Sequence, residues 1–213
     1  MLLAVSIPLL SLPGGRSSPG TSEGEEVLRP VVAKTENSFR VMSFNIRYGT
    51  ARDRKNSWGF RKNAVTAVID RHAPDILGLQ EALDFQLEHL EEKLVDFDYV
   101  GVGRDDGDDG GEHAPIFFRH ERYELVSSGT FWFSDTPHEP GSCDWGNRHP
   151  RICTWAQLKD RHTGRHIRVY NMHLDHLSRR SREKSVELLQ QDLRRFNRSM
   201  PVIILGDFNA GEH

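Results

Sequence analysis

The 213-residue chain is poor in cysteine, with two, and in tyrosine, with four, and it has no apolar run long enough to cross a bilayer. Two thiols exclude a disulfide-built scaffold and a zinc site made from two cysteine pairs. A surplus of positive charge is also missing, since 28 Lys and Arg face 31 Asp and Glu for a net charge of −3. A domain that grips bare nucleic acid by its backbone usually shows a basic excess. The balance weakens that reading without removing it, because charge is segregated: HLSRRSREK is basic and RDDGDDGGEH acidic. There is no internal repeat. What remains, 37% hydrophobic and 28% charged residues, describes a chain with one sizeable core.

The first residues, MLLAVSIPLLSLPGG, form a short apolar stretch of signal-peptide type, although no Lys or Arg precedes it. The following GGRSSPGTSEGEE has the composition of a disordered linker. The expectation is an exported protein, periplasmic or extracellular, with residues 1–37 as leader and linker and 38–213 as the domain. If the apolar stretch is only a tail, the protein is cytoplasmic. Export permits a bridge between Cys143 and Cys153; a cytosolic chain keeps them as thiols.

From Phe39 onward, strand and helix patterns alternate. FRVMSFNI reads as a strand, followed by an amphipathic helix over SWGFRKNAVTAVIDRH with Ala64, Val65, Val68 and Ile69 on its apolar face. Ser57 suits the N-cap, and Pro74 bars Ala73 from the helix. DILGLQE is a short apolar strand, and FQLEHLEEKL a helix with Leu83, Leu87, Leu90 and Leu94 in one stripe. Five strand-like runs follow, the last two joined by a turn at Thr163-Gly164. A basic helix with Val186, Leu189, Leu193 and Phe196 on one face then leads to PVIIL, a run that reads as a buried strand. Several strands are apolar on both faces, so each sheet needs two covers. Two sheets packed face to face with helices outside satisfy this requirement.

Polar residues stand where these strands end, which is where open α/β architectures place ligands. Glu81 closes ILGLQ, and taken alone it is as well explained by a strand's exit to solvent. Asn45, closing the first strand, is a common turn residue. In NMHLDH, alternation puts Asn171, His173 and Asp175 on one face and Met172, Leu174 and His176 on the other. A zinc cluster of His173, Asp175, His176 and Asp207 is a rival reading that this alternation disfavours. In ILGDFNA, Gly206 lets the chain leave the sheet, and Asp207 and Asn209 offer oxygen donors suited to a hard divalent cation and an amide for a phosphate oxygen. Arg148 and Arg151 offer guanidinium forks for phosphate. DDGDDGG lacks the EF-hand spacing and reads as a solvated loop.

VMSFNIRYG, PDILGLQEAL, VYNMHLDH and ILGDFN, in this order, resemble the endonuclease/exonuclease/phosphatase family, with its deoxyribonuclease I-like fold; the likeness covers residues 39–213. The resemblance implies a four-layer α/β/β/α sandwich of two mixed sheets flanked by helices, and Mg2+- or Mn2+-dependent cleavage of phosphate esters. It implies Glu81 as principal metal ligand with Asn45 beside it, and His173 on the scissile phosphate. It further implies Asp207 orienting the attacking water, Asn209 holding the phosphate and Arg151 contacting it. The family's closing Ser-Asp-His motif, with its general base, does not occur before His213, so the expectation is a domain without its last strands. The function expected is hydrolysis of a phosphodiester or phosphomonoester by in-line attack of water. The alternative is a catalytically incomplete relative that binds a phosphorylated ligand or partner. The pI of about 6.4 favours a small phosphate ester over nucleic acid.

Overall fold

The computed structural model describes residues 4–6, 38–195 and 199–211. Nine strands and three α-helices follow in chain order. They are β1 (Ala4–Ser6), β2 (Val41–Asn45), α1 (Trp58–His72), β3 (Ile76–Gln80), α2 (Asp84–Lys93), β4 (Phe97–Val100), β5 (Ile116–Arg119), β6 (Tyr123–Trp132), β7 (Ile152–Asp160), β8 (His166–His173), α3 (Arg179–Arg194) and β9 (Val202–Asp207). One sheet has the order β1-β2-β3-β5-β4 and the other β6-β7-β8-β9. Both are mixed: β1, β2 and β3 run parallel before antiparallel β5 and β4, and the antiparallel ladder β6-β7-β8 ends on parallel β9. The leader and linker expected over 1–37 lie outside the described residues except for the backbone of β1. No described helix is long and apolar enough to cross a membrane.

Alternation along each strand sorts the core into three layers. Met42 and Phe44 of β2, Leu77 and Leu79 of β3 and Phe117 of β5 meet Val65 and Ile69 of α1 and Leu87 and Leu90 of α2. The opposite faces, with Val41, Ile76, Ile116 and Phe118, close on Ala156, Leu158, Ile167, Val169, Ile203 and Leu205 of the second sheet. Behind that sheet, Cys153, Tyr170 and Met172 are covered by Leu189 of α3. This is the four-layer α/β/β/α sandwich expected from strands that are apolar on both faces.

Local details follow the sequence with instructive exceptions. Helix α1 stops at Ala73, which turns left-handed at φ 41° just before Pro74. Ala64 is exposed, as is Val186, so the apolar stripes of α1 and α3 are narrower than their periodicity suggests. Phe196 lies outside the described residues. PVIIL alternates rather than being buried throughout: Ile203 and Leu205 enter the inter-sheet core, while Val202 and Ile204 are each 41% exposed. They sit on the edge strand of the sheet, beside β8 residues that α3 does cover. Cys143 is exposed and Cys153 buried, and both are free thiols.

Candidate active site

The inner faces of β2, β3, β8 and β9 are apolar at one end and polar at the other. Val41, Ile76, Val169 and Ile203 give way to Ser43, Gln80, Asn171 and Asp207 as the strands run toward their C-terminal ends. These four strands pair in parallel within their own sheets, so the polar ends of each pair emerge together. A hydrogen-bonded spine links the sheets beneath the emerging groups. Gln80 donates to Asn171 Oδ1 (2.7 Å) and to Ser43 Oγ (3.2 Å). Asn171 Nδ2 donates to the carbonyls of Leu79 (2.7 Å) and Pro115 (2.8 Å). Ser43 Oγ accepts from Gly206 N (3.1 Å). Buried amides satisfied on both sides fix the register of one sheet against the other.

Above the spine the expected residues converge. Asn45 Nδ2 donates to Glu81 Oε1 at 2.9 Å and to Asp207 Oδ2 at 3.0 Å. The other Glu81 oxygen accepts from Tyr48 N (3.0 Å), and Asp207 Oδ1 accepts from Asn209 N (3.0 Å). His173 Nε2 lies 3.0 Å from Asn209 Nδ2 and 4.0 Å from Asp207 Oδ2. Backbone strain concentrates here: Arg47, Glu81 and Asn209 have φ of 59°, 60° and 46°, half of the positive-φ residues other than glycine among those described. Gly206, at φ 153°, is tight against the Met172 carbonyl, where a Cβ has no room.

The Asn45 oxygen is already taken by Arg47 N at 2.9 Å. Asn45 therefore presents donors, not an acceptor, to the two carboxylates, and metal ligation through its oxygen requires the amide to turn over. Its observed work is to hold Glu81 and Asp207 close together. Arg151 departs from the expected phosphate fork: it is buried, with Nε 3.3 Å from Asp175 Oδ2 and Nη2 3.0 Å from His176 Nδ1. Its charge reaches the site from behind His173. Asp175 Oδ1 also accepts from Leu177 N and Ser178 N in the turn before α3, so its carboxylate serves the scaffold. Arg148 is exposed. With His176 turned to Arg151, the rival zinc set is not assembled, and no metal-holding group of three His, Cys, Asp or Glu occurs among the described residues.

Burial and then the Arg151 charge outweigh the nearby carboxylates and pull His173 down to about 4, so its ring is neutral near pH 7. The tautomer also follows from geometry. Asn209 Nδ2 donates to the Leu174 carbonyl (2.9 Å), which can only accept, so this atom is the amide nitrogen. It therefore donates to His173 Nε2 as well, and the imidazole proton resides on Nδ1.

Two further residues escaped the sequence reading. Glu112, at the end of the acidic loop, is half-buried with its Oε2 3.8 Å from His173 Nδ1, and Arg104 Nη1 binds the same oxygen at 2.7 Å. Burial raises the Glu112 carboxyl above its ordinary range, against the pull of Arg104. Their only signal was position, at the two ends of RDDGDDGGE beside a strand start. The loop between them is built as expected, with Asp106 Oδ1 accepting from Asp108 N and Gly110 N.

Residues 42–212 match the model of the Endonuclease/Exonuclease/phosphatase family. The chain belongs to this family. Its domain superposes on a mannosyl-6-phosphatase of Bacteroides thetaiotaomicron with a TM-score of 0.79 and 38% identity, over 82% of this chain and 67% of that one. An endonuclease/exonuclease/phosphatase from Bacteroides vulgatus gives 0.78 and 39%, over 81% and 66%. Among curated relatives, the CCR4-Not 3'-5'-exoribonuclease subunit Ccr4 of Emericella nidulans is 28% identical over 174 residues, 70% of this chain and 26% of the relative. The chain thus spans about two thirds of these solved structures and about a quarter of that curated relative.

Proposed function

We propose that this endonuclease/exonuclease/phosphatase domain hydrolyses a phosphate ester with the help of Mg2+ or Mn2+. The observation that carries the reading is the single Asn45 nitrogen bridging Glu81 and Asp207 at 2.9 and 3.0 Å, next to the His173–Asn209 pair. Carboxylate oxygens with few other donors suit a hard cation that keeps several waters, and they are a poor match for zinc. Glu81 would hold the ion, with Asp207 near it, and a bound cation would neutralise phosphate charge.

The chain's own groups account for the rest. Asp207 accepts a proton of the attacking water and aims it in line at phosphorus. Asn209 releases His173 to donate an N–H to a phosphate oxygen, and the neutral His173 ring borders the same space. Arg151 supplies positive charge from behind, and its bonds to Asp175 and His176 hold it still as negative charge develops. A small phosphomonoester or phosphodiester is the preferred substrate, supported by the near-neutral pI and by the sugar phosphatase among the similar structures. Export, read from the N-terminal apolar stretch, belongs to the same proposal.

The test is phosphate release from a panel of sugar phosphates, nucleotides and oligonucleotides, with Mg2+ or Mn2+ and then with a chelator. Activity that requires the cation and disappears in Glu81→Gln is the expected result. Wild-type turnover in that variant overturns the assignment. Cation-dependent binding of a phosphorylated ligand without turnover would favour the non-catalytic alternative.

A further inference from the structure

After β2 the chain leaves the sheet through Ile46, Arg47, Tyr48 and Gly49, and side chains from two helices grip this turn. Gln86, in the first turn of α2, is fully buried. Its Oε1 accepts from Gly49 N (2.6 Å) and Leu83 N (3.2 Å), and its Nε2 donates to the Arg47 carbonyl at 3.1 Å. Arg61, the fourth residue of α1, donates from Nη2 to the same carbonyl at 2.6 Å and from Nη1 to the carbonyl of Ile46. Ile46 N donates to Gln80 O (3.1 Å) and Arg47 N to Asn45 Oδ1 (2.9 Å), so each backbone polar group from Ile46 N to Arg47 O has a partner. The next group, Tyr48 N, meets Glu81 Oε2 at 3.0 Å. Arg61 stands where helix physics disfavours it. A cation at the start of a helix opposes the macrodipole, and burial pulls this guanidinium below its ordinary value against the attraction of Asp53. Arg47 at φ 59° and Glu81 at 60° are likewise conformations that persist only where their surroundings impose them. Local preferences broken at adjoining positions mark a place shaped for function.

We propose that Gln86 and Arg61 are positioning residues that set the peptide joining Arg47 and Tyr48, so that its N–H orients the Glu81 carboxylate for a divalent cation. The Arg47 carbonyl and the Tyr48 N–H belong to one planar peptide unit, and they point in opposite directions. Two donors anchored on that oxygen, one from each helix, therefore fix where the N–H points. Tyr48 N takes one Glu81 oxygen and Asn45 Nδ2 the other, which stops the carboxylate from turning about its terminal torsion. Neither Gln86 nor Arg61 hydrogen-bonds to Glu81, and both act through this one peptide. For its purpose the inference rests on the proposed cation site at Glu81. The grip on the peptide stands apart from that reading.

The test is calorimetric titration of the full chain with Mn2+, together with amide hydrogen exchange at Tyr48 in chelator. The wild type should bind Mn2+ and Glu81→Gln should not. Gln86→Met keeps the shape of the side chain without its hydrogen bonds. Arg61→Lys keeps the charge but lacks the planar fork that reaches both carbonyls. Each should weaken Mn2+ binding roughly ten- to a hundredfold and speed exchange at Tyr48. Leu90→Ala, in the core beneath α2, should lower stability and leave Mn2+ affinity at the wild-type value. Wild-type affinity in folded Gln86→Met overturns the inference, and if that variant does not fold, Arg61→Lys decides by the same criterion. An equal loss of affinity in Leu90→Ala also overturns it, because general loosening would then suffice. A wild type that binds no Mn2+, or a Glu81→Gln that binds it normally, overturns the cation reading instead. The grip on the peptide then stands if Gln86→Met speeds exchange at Tyr48 and falls if exchange is unchanged.

Discussion

Asn45, the last residue of β2, donates to Asp207, the last residue of β9, at 3.0 Å across 162 positions of chain. The two residues belong to different sheets, so the bond closes the site and also ties the sandwich at its polar end. Asn45→Ala should cost about 1–3 kcal/mol, because it leaves two carboxylates facing each other without their shared donor. Urea unfolding in chelator measures this. Adding Mg2+ should recover part of the loss, since a cation also relieves the repulsion.

The buried neutral state of His173 makes stability depend on pH. With its folded value lowered to about 4 and an unfolded value near 6.5, the unfolded chain binds the proton first as pH falls. Its contribution is complete above about pH 6.5 and is lost on descending toward pH 4, by on the order of 1–3 kcal/mol. Comparing wild type and His173→Gln by chemical denaturation at pH 7.5 and pH 5 should show the slope in the wild type and a shallower one in the variant.

Asp175 acts in a lower window. Burial pushes its carboxyl up, but the N–H groups of Ser178 and Leu177 and the Arg151 guanidinium win, and its value is lowered. Its stabilising contribution is present above about pH 4 and disappears as pH falls through the folded value. Asp175→Asn strips Arg151 of its buried partner and should cost on the order of 3 kcal/mol at neutral pH. Thermal unfolding should show the loss, with the difference from wild type shrinking in acid.

Gly78 faces the second sheet, where a Cβ would stand 2.8 Å from the Asn171 amide and 3.1 Å from Leu205 Cδ1. Gly78→Ala should therefore push on the spine below Asn45, Glu81 and Asp207 and destabilise by about 1–3 kcal/mol. An alanine as stable as wild type, with unchanged activity, would show that the spine yields freely.

The sequence by itself determined the layered fold and the end of the sandwich that carries the site. Strands such as ILGLQ, apolar on both faces, demand covers on two sides, and alternation places Asn171 and His173 inward on one strand. Gly-Asp-x-Asn after an apolar run marks a sharp exit carrying oxygen donors. The tertiary structure alone decided which groups became partners. Periodicity gives the face of a residue but not what lies opposite, so Asn45 emerged as a clamp with its donors forward, and Arg151 as a buried cation behind His173. Glu112 and Arg104 were invisible for the same reason. Their loop is polar and aperiodic, and only the pairing of neighbouring His113 with Ala82 and Gly103 carries it to the imidazole. The exposure of Val202 and Ile204 was likewise set by place in the sheet, since an apolar strand is buried on both faces only where a neighbouring layer reaches it.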